Sequence, residues 1–312
     1  MSSSKLSVGI VGLPNAGKST LFNALASRRL AETAERPFTT IDPHEAVVAV
    51  HDENFHRLVD LIKPEKAVPA TVTFIDIAGL IKGAHKGEGL GNQFLGKIRE
   101  VDAIVHVVRA FENEKVSHVH ALHKAGSKEQ VVEDIEIVNL ELELGEIEKK
   151  PTLYVLNISE ESLSSSASLR KEVQKKFEGE VMAVAAKTEE DMIELDNVER
   201  GELFKILEWE RSALDRLVLQ AYKLLDLISF YTIKGGKEVT AWSLKKGNSA
   251  LEAAEIVHTD FAKKFIKAEV VSVGKLLDIG GWKEAKEKGL LRLEGKDYVV
   301  QDGNVIEFVI GK

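Results

Sequence analysis

A chain of 312 residues, 44% hydrophobic and 29% charged, has the length of about two domains and the composition of a protein that buries cores, which excludes global disorder. It has no cysteine, so disulfides, thiolate metal sites, iron–sulfur clusters and cysteine nucleophiles are excluded. The net charge of −8 argues against a wholly basic nucleic-acid binder, and no apolar run reaches the roughly 18 residues of a membrane span.

The first residues are short and polar and lack the basic-then-apolar layout of a signal peptide, so a cytoplasmic location is expected. Residues 5–11 (KLSVGIV) read as a buried strand, 12–17 as a Gly/Pro-containing loop and 18–27 as a helix. Strands are expected at 46–50, 71–77, 103–108, 152–156 and 181–185, with helices at 92–101 and 168–177. Residues 79–91 carry five glycines and read as a loop. Strands alternating with helices imply an α/β fold with a parallel sheet covered on both faces.

Two stretches break the alternation. Residues 111–150 separate two core strands, and their second half reads as a helix too charged for the core, hence as an inserted arm. From about residue 225 short strands follow at 230–233, 239–243, 268–273 and 298–301, with a helix at 250–261 and a last strand at 305–310. The expected division is therefore 1–110 and 151–224 for the nucleotide domain, 111–150 for the helical insert and 225–312 for a small α+β domain.

Residues 12–19 (GLPNAGKS) fit G-x-x-x-x-G-K-[ST] between a strand and a helix, the context of a phosphate-binding loop. Its amides, through Asn15, Ala16, Gly17, Lys18, Ser19 and Thr20, can turn toward phosphate oxygens at a helix N-terminus. Lys18 offers its charge to the β/γ-phosphates and Ser19 a hydroxyl to Mg²⁺. Asp76-Ile77-Ala78-Gly79 is a D-x-x-G: Asp76 is expected to reach Mg²⁺ through water, and the Gly79 amide to sense the γ-phosphate. Thr40, preferred over Thr39, could close on Mg²⁺ when the γ-phosphate is present.

Asn157-Ile158-Ser159-Glu160 stands where guanine-specific proteins carry N-K-x-D. Ile158 removes the Lys stem that covers the base, and Glu160 shifts the acceptor by a methylene, so guanine preference weakens and adenine becomes an option. Ala186 and Lys187 follow the next strand, where a further base-contacting loop should lie. Leu80 occupies the position of the water-orienting Gln of Ras-like enzymes. Either hydrolysis is slow and assisted by a partner, or another side chain orients the water, with His85 and His118 as candidates, and Asn15 could help hold a monovalent cation, K⁺.

These motifs, with DIAGLIKGAHKGEGLGNQFL at 76–95 and AWSLKKGNSALEAAEIVHTDFAKKFIKAEV and LEGKDYVVQDG in the last third, resemble the YchF/Obg-like ATPase family. The resemblance implies a P-loop NTPase with a Ras-like G domain and a C-terminal ubiquitin-like TGS domain. It implies hydrolysis of ATP in preference to GTP with Mg²⁺, and association with the ribosome, either its large subunit or the whole particle. It favours His118 over His85 as the catalytic histidine. In that family the insert is a long helical hairpin, so the roughly 40 residues here imply a shortened arm. RNA contact through the TGS domain is also implied, although residues 226–312 carry 14 Lys/Arg against 13 Asp/Glu and so supply little electrostatic drive. Two other readings stay open: a ribosome-binding scaffold with ATP as allosteric ligand, and a GTP-preferring Obg-type GTPase.

Overall fold

The computed structural model describes residues 6–32, 44–77, 90–113, 116–117, 123–195, 197–206 and 211–311. In chain order the elements are β1 (Ser7–Val11), α1 (Lys18–Glu32), β2 (Glu45–Ala49), α2 (Glu53–Ile62), β3 (Lys66–Val68), β4 (Thr71–Asp76), α3 (Leu90–Glu100), β5 (Ala103–Arg109), α4 (Lys128–Leu144), β6 (Thr152–Asn157), α5 (Ser166–Lys176), β7 (Glu180–Val184), α6 (Ala186–Asp191), α7 (Asn197–Ile206) and α8 (Ala213–Leu224). After these come β8 (Leu227–Lys234), β9 (Glu238–Lys245), α9 (Ala250–Val257), α10 (Thr259–Lys263), β10 (Phe265–Ser272), α11 (Val273–Ile279), α12 (Trp282–Glu287), β11 (Arg292–Glu294) and β12 (Asn304–Ile310). Among the described residues no helix is long and apolar enough to cross a membrane.

The chain divides into two units, Lys5–Val48 with Val72–Leu225, and Ala49–Thr71 with Asp226–Lys312. The first holds a six-stranded sheet in the order β2-β4-β1-β5-β6-β7. Strands β4, β1, β5, β6 and β7 run parallel. Strands β1 and β5 are buried along their whole length, the near-continuous apolar runs of a sheet covered on both faces.

The charged helix expected to stand off as an arm instead packs on this sheet. Val131 and Ile135 of α4 lie in one apolar cluster with Val108, Leu156 and Val173. Val138 lies in another with Ile98 and Ile104. The spacing 131, 135, 138 is one helical face, and α4 is the helix of the crossover between parallel β5 and β6. Gln130, Asp134 and Glu141 are buried on it as well.

The second unit also departs from the expected boundary, because residues 49–71 belong to it. Strand β3 pairs parallel with β9 at the edge of a second sheet, ordered β11-β10-β12-β8-β9-β3. Asp52 caps α2 by accepting from the Asn54 and Phe55 N–H groups, and the Tyr231 hydroxyl donates to the same carboxylate at 2.6 Å. Here β8 and β9 form an antiparallel hairpin, and β12 lies parallel to β8 and antiparallel to β10. The core is Phe230, Leu244, Ala250, Ala253, Ala268, Val270 and Ile306. Two expectations fail in detail. The helix over 250–261 breaks at His258, which is extended at φ −164°. Residues 298–301 contribute a single bridge, Ser249 to Val299, while the strand lies earlier, at β11.

Candidate functional site: a phosphate-binding loop and its supports

The loop between β1 and α1 is a tight backbone turn that its residue types make possible. Gly12 has φ +151°, and a Cβ there would lie 2.2 Å from the Val107 carbonyl oxygen. Gly17 has φ +96° and faces the Asn157 amide. Asn15 has φ +62°, a left-handed conformation that Asn tolerates better than most residues. The loop opens directly into α1 at Lys18, so the first amides of the helix carry no intrahelical partner and can receive an anion.

Lys18 is 7% exposed, and its ammonium donates to the Leu13 carbonyl at 2.8 Å, folding back over the loop. Burial lowers its pKa to about 8, against an opposing pull from the Asp76 carboxylate. Ser19 is exposed at the start of the helix. Asp76 ends β4, paired in register with Ile10 of β1. A hydroxyl and a carboxylate are hard oxygen donors of the kind Mg²⁺ takes, alongside phosphate oxygens and water. Among the described residues no cluster of three or more His, Asp or Glu offers a metal site by itself. Asn15 Nδ2 donates to the Ser117 carbonyl at 3.1 Å, and nothing in this arrangement favours K⁺.

In the tetrad expected to read the base, Asn157 ends β6 and is 6% exposed. Its Nδ2 donates to the Ala16 carbonyl at 2.9 Å and its Oδ1 accepts from the Ala186 N–H at 3.2 Å. One side chain thus ties the phosphate loop to the segment after β7, which joins three motifs that the sequence placed apart. The Ile158 side chain, expected at the base, is 4% exposed and packs with Val131, Leu156 and Val173. It is a core residue, because an apolar chain next to that cluster gains more from burial than from a ligand face. The Glu160 carboxylate accepts from the Thr188 hydroxyl at 3.3 Å. Lys187 pairs with Glu190 and Asp191 along its own helix and points to solvent. Thr40, Gly79 and His118 lie outside the described residues, as do Leu80 and His85.

Two buried polar groups near the loop were not anticipated. Arg109, the last residue of β5, is 2% exposed and donates to four main-chain carbonyls, those of Phe111, Asn113, Val116 and Ser117. His106, three residues earlier, is 1% exposed, and its Nε2 has no hydrogen-bond partner among the described residues. Burial, reinforced by the Lys18 charge, lowers its pKa to about 3. Neither has a sequence signature, since a lone Arg or His in an apolar strand belongs to no motif.

Comparison with known proteins agrees with this geometry. A family profile described as "50S ribosome-binding GTPase" matches residues 7–158, and one for the C-terminal domain of YchF GTPases, described as "Protein of unknown function (DUF933)", matches residues 227–310. The "Ribosome-binding ATPase YchF" of Bacillus subtilis (strain 168) is 39% identical over 368 aligned positions, covering 97% of this chain and 98% of the relative. The protein of the same name from Shigella flexneri is 39% identical over 363 positions, covering 96% and 98%. Both alignments are longer than the 312 residues of this chain, so both relatives carry segments that it lacks. The solved "Structure of the Schizosaccharomyces pombe YchF GTPase" matches at a TM-score of 0.79 and 30% identity, covering 98% of each chain.

Proposed function

The chain belongs to the YchF family of P-loop nucleotide hydrolases, and from that premise we propose that it hydrolyses ATP in preference to GTP, with Mg²⁺, as a nucleotide-switched factor that binds the ribosome. The observation that carries the ATP preference is the fate of the base-reading tetrad. Ile158 is committed to the core, Asn157 to the phosphate loop and to Ala186, and Glu160 to Thr188. A site with no Lys stem over the base and a displaced acceptor lacks the bidentate fit that selects guanine.

In this reading the loop amides and Lys18 neutralise phosphate charge, Ser19 and Thr40 hold Mg²⁺, and Asp76 orders its water. Gly79 senses the γ-phosphate, and His118 orients the attacking water in place of the absent Gln. Ribosome binding is carried over from the relatives' names, and with it a cytoplasmic location. The TGS reading of the last 87 or so residues rests on the resemblance and on a mixed sheet in which β8 and β12, the first and last strands of those residues, run parallel at its centre. RNA contact through this domain is part of the same proposal.

Single-turnover hydrolysis of ATP and GTP, with and without ribosomes, tests the proposal. It requires a faster ATP rate that ribosomes alter. Negligible turnover under every condition would favour the scaffold reading, in which ATP is an allosteric ligand only.

A further inference from the structure

We propose that Arg109 is a positioning residue for hydrolysis, seating Phe111, Asn113, Val116 and Ser117 against the tip of the phosphate loop through Asn15. The inference rests on the nucleotide-hydrolase reading and concerns a residue outside all its motifs.

The guanidinium gathers the carbonyls of Phe111, Asn113, Val116 and Ser117 at 3.0–3.2 Å. It also lies over the Phe111 ring, 4.8 Å from its centroid. A buried cation needs compensation, and α4 supplies it through the nearby Asp134 carboxylate. Gln130 links the two, donating from Nε2 to both the Arg109 carbonyl and Asp134. The side chain is thus anchored on one side by α4 and spends its donors on one short stretch of irregular backbone. A buried guanidinium has five N–H donors to satisfy, and here four hydrogen bonds go to that one stretch.

Among the described residues, Ser117 is where that stretch meets the phosphate loop. The Ser117 carbonyl accepts from Arg109 Nη1 and also from Asn15 Nδ2. The arrangement has a second arm of the same kind. Arg109 is paired in register with Asn157 on β6, and Asn157 holds the adjacent Ala16 carbonyl. Two neighbouring strand ends therefore hold two consecutive residues of the phosphate loop, one directly and one through the Arg109-bound loop. A nucleotide that draws the Asn15 amide toward phosphate changes the Asn15–Ser117 bond first. Arg109 itself bonds only to carbonyls of residues 111–117 among the hydrogen bonds it donates, and the chain runs from Ser117 in sequence into His118. Loss of the clamp is therefore expected to slow turnover rather than weaken binding.

The test uses the full chain with Arg109→Gln, Arg109→Lys, Asn15→Gly and the Arg109→Gln/Asn15→Gly double variant. The readouts are affinity for a non-hydrolysable ATP analogue, single-turnover ATP hydrolysis and amide exchange of residues 111–117. Arg109→Gln should slow hydrolysis by about tenfold or more with affinity within about threefold, and Arg109→Lys should restore part of the rate. Both Arg109→Gln and Asn15→Gly should raise exchange in 111–117, and the double variant should be no slower than the slower single variant. Multiplying rate losses, or affinity and rate falling together, would overturn the proposal. If Arg109→Gln does not fold, Asn15→Gly decides alone, since glycine accepts the positive φ at this exposed position; unchanged exchange in 111–117 then overturns it. A wild-type chain without turnover would sink the hydrolase reading, while loop exchange would still judge the clamp.

Discussion

Asn157 lies against Gly17 so closely that a Cβ on residue 17 would come within 2.1 Å of its Nδ2. That approach lets a residue at the end of β6 hold the Ala16 carbonyl of the phosphate loop. Gly17→Ala therefore has two costs, a strained φ of +96° and eviction of the amide. We expect it to weaken ATP binding at least as much as Asn157→Ala does, by about tenfold or more. Isothermal titration with an ATP analogue checks this, and near-wild-type affinity for Gly17→Ala would show that the contact is dispensable.

Lys18 gives the site a pH dependence. Its pKa in the free protein is lowered to about 8, and bound phosphate favours the charged form and raises it again. Affinity should be level below about pH 8 and fall above it, by at most about tenfold per pH unit, until the bound-state pKa is passed. Lys18→Ala should lose most of the affinity and the slope with it. Affinity that stays level to pH 9.5 in the wild type would contradict this role.

His106 predicts an acid-side instability. Its pKa is held at about 3 in the folded chain, against about 6.5 when unfolded. The unfolded chain therefore takes up a proton that the folded chain refuses. The stability is fully present above about pH 6.5 and is lost as pH falls toward 3. His106→Leu should flatten that loss by up to about 1.4 kcal/mol per pH unit. Denaturant unfolding at pH 5 and pH 8 measures it, and identical pH slopes for the two proteins would remove His106 as the cause.

Burial of Ile158 means that the guanine motif cannot be restored by one exchange. Ile158→Lys would place an ammonium among Val131, Leu156 and Val173. The expected cost is about 2–4 kcal/mol of stability, with no gain in GTP affinity. A stable variant that binds GTP more tightly would mean the side chain at 158 can reach the base.

The nucleotide half of the fold was legible because its signals are local. A glycine-bearing turn between an apolar strand and a helix leaves few alternatives, and β1 and α1 follow from it directly. The same holds for the Asn157 turn at the end of β6. What escaped depended on distant partners. Strand β3 has little burial of its own and exists through pairing with β9, some 170 residues away. Helix α4 looked too polar because its buried Gln130 bonds the Arg109 carbonyl and Asp134, whose charge lies near the Arg109 guanidinium, a network invisible in composition. Arg109 itself bonds to main-chain carbonyls, which any residue type can present.

The central claim is that the Asn157–Glu160 turn has given up guanine selection. It is tested most directly by competition titration of ATP and GTP analogues, each with Mg²⁺ and with either K⁺ or Na⁺. The account predicts tighter ATP binding in both salts. Tighter GTP binding would contradict it, making Glu160 a guanine acceptor and the protein a GTPase with the same phosphate chemistry.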